Sequence, residues 1–151
     1  MIVVRRAVAA DVAAMSDVLI ASITALCIED HQNRPDAVVP WLRNKTLEGV
    51  GNMLANPALT MFVAERGGEM AAVGAVKTSR EIALNYVSPE HRFTGVSKAL
   101  LWAMETALGP GEAFLTSTAT AHRFYRRMGW ADNGEVKRHA GMAAYPMRKY
   151  L

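Results

Sequence analysis

The residues best suited to chemistry form a loop between a predicted strand and a predicted helix. The loop reads Arg92-Phe93-Thr94-Gly95-Val96-Ser97-Lys98. The first turn of a helix has unpaired N–H groups and a positive dipole end, so a loop leading into it can bind phosphate. Gly95 leaves out a Cβ where the anion must approach, and Arg92, Lys98 and Ser97 add charge and a hydroxyl. The pattern predicts a metal-free phosphate site, although ordinary turn chemistry also places glycine at helix starts.

The elements around this loop follow from hydrophobic periodicity. Strands are predicted at 2–6, 60–66, 70–78, 81–87, 113–118 and 143–151. Helices are predicted at 12–26 with Asp11 as N-cap, at 36–53, at 96–107 and at 121–128. Strands that are joined by a hairpin pair antiparallel, and the two strands that are joined through the third helix pair parallel. We therefore expect an α/β fold, a mixed and mostly antiparallel sheet flanked by helices, in one domain spanning 1–151.

Composition limits the function classes. The chain is 51% hydrophobic and carries a net charge of +3, which suits an anionic ligand but makes nucleic acid an unlikely partner. We find no run of about 18 apolar residues, so no membrane span is expected. The N-terminus does not have the order of a signal peptide, and Cys27 is the single cysteine; both favour the cytoplasm. No Cys/His spacing suggests a metal site.

Two segments of the chain resemble the GCN5-related N-acetyltransferase (GNAT) family. Arg92-x-x-Gly95-x-Ser97 resembles the family's Arg/Gln-x-x-Gly-x-Gly/Ala loop, and Val87-Ser88-Pro89 resembles the strand exit before it. About thirty residues later, Ala121-x-x-Phe124-Tyr125-x-x-x-Gly129-Trp130 resembles the family's Ala-x-x-Phe-Tyr-x-x-x-Gly-Phe segment. Ser97 stands where the family has Gly or Ala, and Thr118 replaces its usual Asn.

The resemblance implies a fold, an activity and a co-substrate. The fold is that of the acyl-CoA N-acyltransferases, and the activity is acetyl transfer from acetyl-CoA to a primary amine by direct attack in a ternary complex. The pyrophosphate would lie on the loop, and the pantetheine arm would pair with the main chain between the strands at 81–87 and 113–118. The implied cofactor-binding residues are Tyr86, Val87, Arg92, Phe93, Thr94, Gly95, Val96, Ser97, Lys98 and Thr118.

The resemblance also implies candidate catalytic groups. Tyr125 corresponds to a tyrosine that lies near the sulfur in the family, and a phenol can give a proton to a thiolate. Glu81, eleven residues before Arg92, lies where some relatives carry a base. Each has an alternative: Tyr125 can be a core aromatic residue, and Glu81 an exposed residue at a strand start. Many relatives use a water chain instead of a single base.

The acceptor region is implied by the same comparison. In the family, the link between the first two helices covers the acceptor pocket, and here it carries Asp30 and His31. Asp30 could pair with an ammonium, and His31 could act as a base because histidine titrates near neutral pH. Both could equally be solvated turn residues.

Three functions stay open at this point. The chain could be an enzyme acting on a small-molecule or peptide amine. It could instead be an acetyl-CoA-binding sensor without robust catalysis. A toxin-like acetyltransferase of aminoacyl-tRNA would need a larger basic surface than a net charge of +3 suggests. The apolar C-terminal strand permits a homodimer.

Overall fold

The computed structural model describes all 151 residues, and its strands form one mixed sheet. The strands are β1 Ile2–Arg6, β2 Leu59–Arg66, β3 Glu69–Lys77, β4 Glu81–Val87, β5 Glu112–Ser117, β6 Ala131–Asp132, β7 Lys137–His139 and β8 Met142–Tyr150. The helices are α1 Val12–Leu26, α2 Ile28–His31, α3 Pro35–Leu42, α4 Leu47–Ala55, α5 Val96–Leu108 and α6 Ala119–Arg127. The strand order is β1-β2-β3-β4-β5-β8-β6, with β7 paired to β8. The predicted mixed, mostly antiparallel sheet is confirmed.

The sheet divides where β4 meets β5. This is its one parallel pair, and it holds for two residue pairs, Glu81 with Phe114 and Ile82 with Leu115. Beyond them β4 stays paired with β3 while β5 continues along β8. The β3–β4 register skips Ala83, a bulge that strengthens the local twist. The free edge of β4 beyond Ile82 therefore faces the gap between the two halves.

Helices cover both faces of the sheet. On one face, α1 and α4 bury a cluster that includes Met15, Leu19 and Val50. On the other face, α5 buries Leu100 and Met104 in a second cluster that also takes in residues of α6 and β8. Gly74 of β3 allows α5 to approach closely, since a Cβ there would lie 2.7 Å from Met104 Sδ.

Three local predictions are corrected by the structure. The helix predicted at 36–53 is two helices, because the chain turns at 43–46 and Thr46 caps α4 by accepting the Gly49 N–H at 3.1 Å. Asp11 makes no N-cap bond to α1; its carboxylate accepts the Val8 N–H and pairs with Arg5, both at 2.8 Å. The link between the first two predicted helices is not entirely non-helical, because it begins with a short helix, α2.

The first helical stretch also departs from expectation. Residues Ala9–Leu26 form 18 helical residues of mean hydropathy 1.6, long and apolar enough by those two measures to cross a membrane. The core helix of a globular fold passes the same test, and here Met15, Leu19 and Ile23 are fully buried within the protein. Their burial accounts for part of the apolar composition of α1, since 39% of the stretch is buried within the protein.

Candidate active site

A cavity of about 300 Å³ lies where β4 and β5 separate. Its walls come from the end of α1, the free half of β4, the loop before α5, and α6. Nine of the residues predicted from the sequence line it: Tyr86, Val87, Arg92, Phe93, Gly95, Ser97, Lys98, Thr118 and Tyr125. The structure therefore brings the two separate sequence motifs to one cavity.

The loop at one end of the cavity presents main-chain donors. The N–H groups of six consecutive residues, Phe93 to Lys98, donate to no acceptor in the protein. Gly95 has φ of +88° and stands directly before α5, while a Cβ there would meet only Ile2 Cδ1 at 3.9 Å. Backbone conformation, rather than crowding, thus favours glycine at this position. Val96 is buried in the core and anchors the loop.

Two side chains of the loop extend outwards. Phe93 is 90% exposed and has a left-handed φ of +64°, and the Arg92 guanidinium lies 4.6 Å from the centre of its ring. The Thr94 hydroxyl donates to the His91 carbonyl and closes the turn. A run of free N–H groups beside Arg92 and Lys98 fits a phosphate-bearing ligand.

Tyr125 lies at the other end of the cavity. Its hydroxyl accepts a hydrogen bond from the Asn85 side-chain amide at 3.1 Å, which links α6 to the free half of β4. Burial raises the pKa of Tyr125 to about 12, while the Asn85 bond acts in the opposite direction. The phenol is therefore a neutral proton donor at physiological pH. Asn85 was missed from the sequence, although it is the one strongly polar residue inside an apolar strand.

Three more groups complete the walls. The hydroxyl of Tyr86 accepts the Trp41 indole N–H at 3.2 Å, and burial raises the pKa of Tyr86. Burial also raises the pKa of Cys27 to about 12, so its thiol is not ionised and is a poor nucleophile. Thr118 caps α6 by accepting the Ala121 N–H at 3.2 Å, which leaves its hydroxyl proton free to donate.

Comparison with known proteins agrees with this geometry. The family model described as acetyltransferase (GNAT) domain matches residues 31–151. The chain belongs to the GNAT acetyltransferase family. It is accordingly a transferase, and the resemblance seen in its motifs is confirmed. No curated protein matches the chain significantly.

Solved structures share the GNAT fold over nearly the whole chain. A GCN5-related N-acetyltransferase from Rhodopseudomonas palustris has a TM-score of 0.86 at 20% identity, covering 99% of this chain and 95% of its own. The PaiA N-acetyltransferase from Thermoplasma acidophilum, solved with coenzyme A, has a TM-score of 0.80 at 17% identity, covering 100% of this chain and 99% of its own. A ribosomal-protein-alanine N-acetyltransferase from Brucella melitensis has a TM-score of 0.65 at 20% identity, covering 99% of both chains. At such identities the likeness shows the fold alone.

Glu81 lies apart from this GNAT cavity. It stands where β4 and β5 are still paired, four residues before Asn85, which is about 13 Å along a strand. Its carboxylate pairs with Lys77 at 3.1 Å, and it does not line the cavity. A direct proton transfer from an amine in the cavity does not span that distance, so Glu81 could act as the base only through intervening water, and its assignment stays a prediction.

Asp30 and His31 are structural rather than solvated. The Asp30 carboxylate accepts the N–H groups of Ala119 and Thr120, at 2.7 and 3.3 Å, and so holds the start of α6. The His31 ring is fully buried; its Nε2 bonds the Ile23 carbonyl at 2.8 Å and its Nδ1 accepts the Asn33 N–H at 3.0 Å. Neither residue lines the main cavity, and their contact with the acceptor stays a prediction.

One group of side chains has the composition of a metal site. Ligand atoms of Glu69, Glu90 and His91 lie within 4.8 Å of one another. A metal-bound histidine normally donates its second ring N–H to an acceptor, but His91 Nδ1 is buried without a partner. The group therefore fits a metal poorly, and the expectation that catalysis needs no metal stays a prediction.

Proposed function

We propose that this GNAT protein transfers the acetyl group of acetyl-CoA to a primary amine, by direct attack in a ternary complex. One observation carries the proposal: a single cavity joins the donor-rich loop from Phe93 to Lys98 with the buried hydroxyl of Tyr125. The loop suits the pyrophosphate and the free half of β4 suits the pantetheine arm. When bound, acetyl-CoA supplies the activated acetyl thioester.

The chain's own residues then have distinct tasks. The loop binds anionic oxygens through main-chain N–H groups, and Arg92 and Lys98 add charge at its rim. Main-chain groups of Tyr86 and Val87 orient the substrate along the free edge of β4. Tyr125 holds a proton on its hydroxyl for the departing thiolate, and Asn85 orients that hydroxyl.

Deprotonation of the acceptor amine proceeds without a neighbouring base in this proposal. The residues that line the cavity include neither an acidic side chain nor a histidine. The amine therefore enters as the free base or loses its proton to water. A protein N-terminus, whose pKa is about 8, suits such a site better than a lysine, whose pKa is about 10. The Brucella melitensis relative is a ribosomal-protein-alanine N-acetyltransferase, which supports that class among the candidates.

Calorimetric titration with acetyl-CoA tests the proposal first. We expect binding with a dissociation constant near the micromolar range, abolished by the double variant Arg92→Ala, Gly95→Glu. A screen of amine acceptors that follows release of free thiol then measures transfer. Binding without transfer to any amine class would favour a sensor over an enzyme. Failure of the well-folded wild-type protein to bind would reject the proposal.

A further inference from the structure

A second cavity, of about 440 Å³, lies on the far side of Trp41 from the active site. It is bounded by α3, by the turn at 43–46 and by the hairpin of β7 and β8. Trp41 lines this cavity, and its indole N–H reaches Tyr86, which lines the first one. The two cavities therefore share a wall made of these two aromatic side chains.

Lys45 lies in the wall of the second cavity and is 94% buried, since only 6% of its surface is exposed. Its ammonium donates to two neutral acceptors, the Trp41 carbonyl at 3.3 Å and the Asn44 side-chain oxygen. No carboxylate forms an ion pair with it, and an ammonium has three N–H donors. A buried cation without a counter-ion is costly, and such groups are normally paired.

The other titratable side chains that line this cavity are also basic. Arg43 and His139 line it, while acidic residues are absent from its walls. The single acidic residue of α3, Asp36, is instead paired with Arg34 at 2.9 Å. The cavity therefore combines a buried, unpaired ammonium with further N–H donors and no competing carboxylate.

We propose that the cavity lined by Lys45, Arg43 and His139 is an oxyanion-binding site that takes a carboxylate. An anion there would accept a hydrogen bond from the third N–H of the Lys45 ammonium and offset the free-energy cost of burying that charge. The carboxylate could be the acidic part of the acceptor, whose amine would reach past Trp41, or a free acid that binds beside the active site. In the first case the inference rests on the proposed function and narrows the acceptor to amines that carry an acidic group.

Solution NMR offers a local reporter for anion binding. The indole N–H resonance of Trp41 should shift saturably on titration with succinate at constant ionic strength, with a dissociation constant of about 1 mM. The resonance of Trp102, which is 72% exposed on α5, should stay constant. Lys45→Met keeps the side-chain volume and removes the ammonium; we expect it to weaken binding about 10-fold or more.

Two further variants serve as controls in case Lys45→Met does not fold. His139→Ala alters an exposed wall residue and should weaken succinate binding while the fold stays intact. Lys137→Met removes a positive charge from the same hairpin, but Lys137 does not line the cavity and the affinity should stay unchanged. A Trp41 resonance that does not respond to succinate, or responds equally in wild type and Lys45→Met, would overturn the proposal.

The kinetics of acetyl transfer distinguish the two possible sources of the carboxylate. If the acceptor supplies it, 6-aminohexanoate should have a KM at least about 10-fold below that of hexylamine, and Lys45→Met should remove the difference. If a free acid supplies it, the two acceptors should behave alike while succinate still shifts Trp41. Succinate binding without transfer to any amine would count against the proposed function and leave the oxyanion site standing.

Discussion

Among single residues, Tyr125 contributes the group on which the proposed chemistry depends most, its buried hydroxyl. Replacing it with phenylalanine removes one oxygen and keeps the buried ring that packs against Trp130. We expect Tyr125→Phe to lower kcat about 100-fold, because general-acid catalysis contributes about that much, with little change in acetyl-CoA affinity. Steady-state kinetics and calorimetry measure the two quantities separately.

Tyr150→Phe is the matched control, since Tyr150 is 76% exposed at the end of β8. It should leave both quantities unchanged. Unchanged turnover in Tyr125→Phe would show that the phenol is a core residue and that the thiolate leaves without its proton. Acetylation itself would remain possible in that case.

The elevated pKa of Tyr125 sets the expected pH dependence. Burial raises that pKa to about 12, so the hydroxyl keeps its proton between pH 6 and about 10. We expect kcat to rise across this range as the acceptor amine loses its proton, and not to fall again before about pH 10. A falling limb centred between about pH 8 and 10 that disappears in Tyr125→Phe would show that the hydroxyl titrates there.

At the scale of elements, α4 provides a pair of glycines with opposite expectations. A Cβ on Gly49 would lie 2.1 Å from the Asn44 carbonyl oxygen, whereas a Cβ on Gly51 meets nothing within 4 Å. Gly49→Ala should lower the free energy of unfolding by about 2 kcal/mol or more, because backbone must move. Gly51→Ala should raise it by up to about 1 kcal/mol through helix propensity. Urea denaturation compares the two variants, and equal effects would contradict the packing described for the turn at 43–46.

The Asp30 carboxylate holds the start of α6. Asp30→Asn keeps the side-chain shape but replaces one acceptor oxygen that holds the N–H groups of Ala119 and Thr120. We expect a loss of about 1 to 2 kcal/mol in stability. Turnover should also fall, because α6 carries Tyr125. Glu29→Gln, an exposed neighbour on α2, is the control for thermal denaturation and kinetics.

Elements with local signals could be predicted from the sequence, and contacts between distant segments could not. The glycine pair between β2 and β3, and the glycine before α5, depend on backbone preferences of a few neighbouring residues. The contacts of the Asp30 carboxylate could not be predicted from the sequence, because its partners are 89 and 90 residues away. The separation of Glu81 from the cavity could not be predicted either, because an offset in sequence gives no information about where β4 and β5 separate.

At the scale of the whole molecule, the divided sheet is what connects the two motifs. The loop before α5 and helix α6 are far apart in sequence. The loop follows β4 and α6 follows β5, so they lie on the two sides of the gap between these strands. The cavity lies where this gap opens, and the Asn85–Tyr125 hydrogen bond links the free half of β4 to α6 there. Binding a ligand in the gap should therefore tie the two halves together and stabilise the fold as a whole.

Thermal denaturation with coenzyme A measures that coupling. At about 100 times its dissociation constant, a ligand that binds only the folded state adds about 2.7 kcal/mol, or about 5 to 10 °C in Tm for a chain of this size. Gly95→Glu should abolish the shift. Gly68→Glu is the matched control, because Gly68 has a similar φ of +83° but lies in the β2–β3 turn with open space around it. Both variants should lower the Tm of the free protein through backbone strain, and only Gly68→Glu should regain stability with coenzyme A. A shift that persists in Gly95→Glu would mean that coenzyme A binds elsewhere on the molecule.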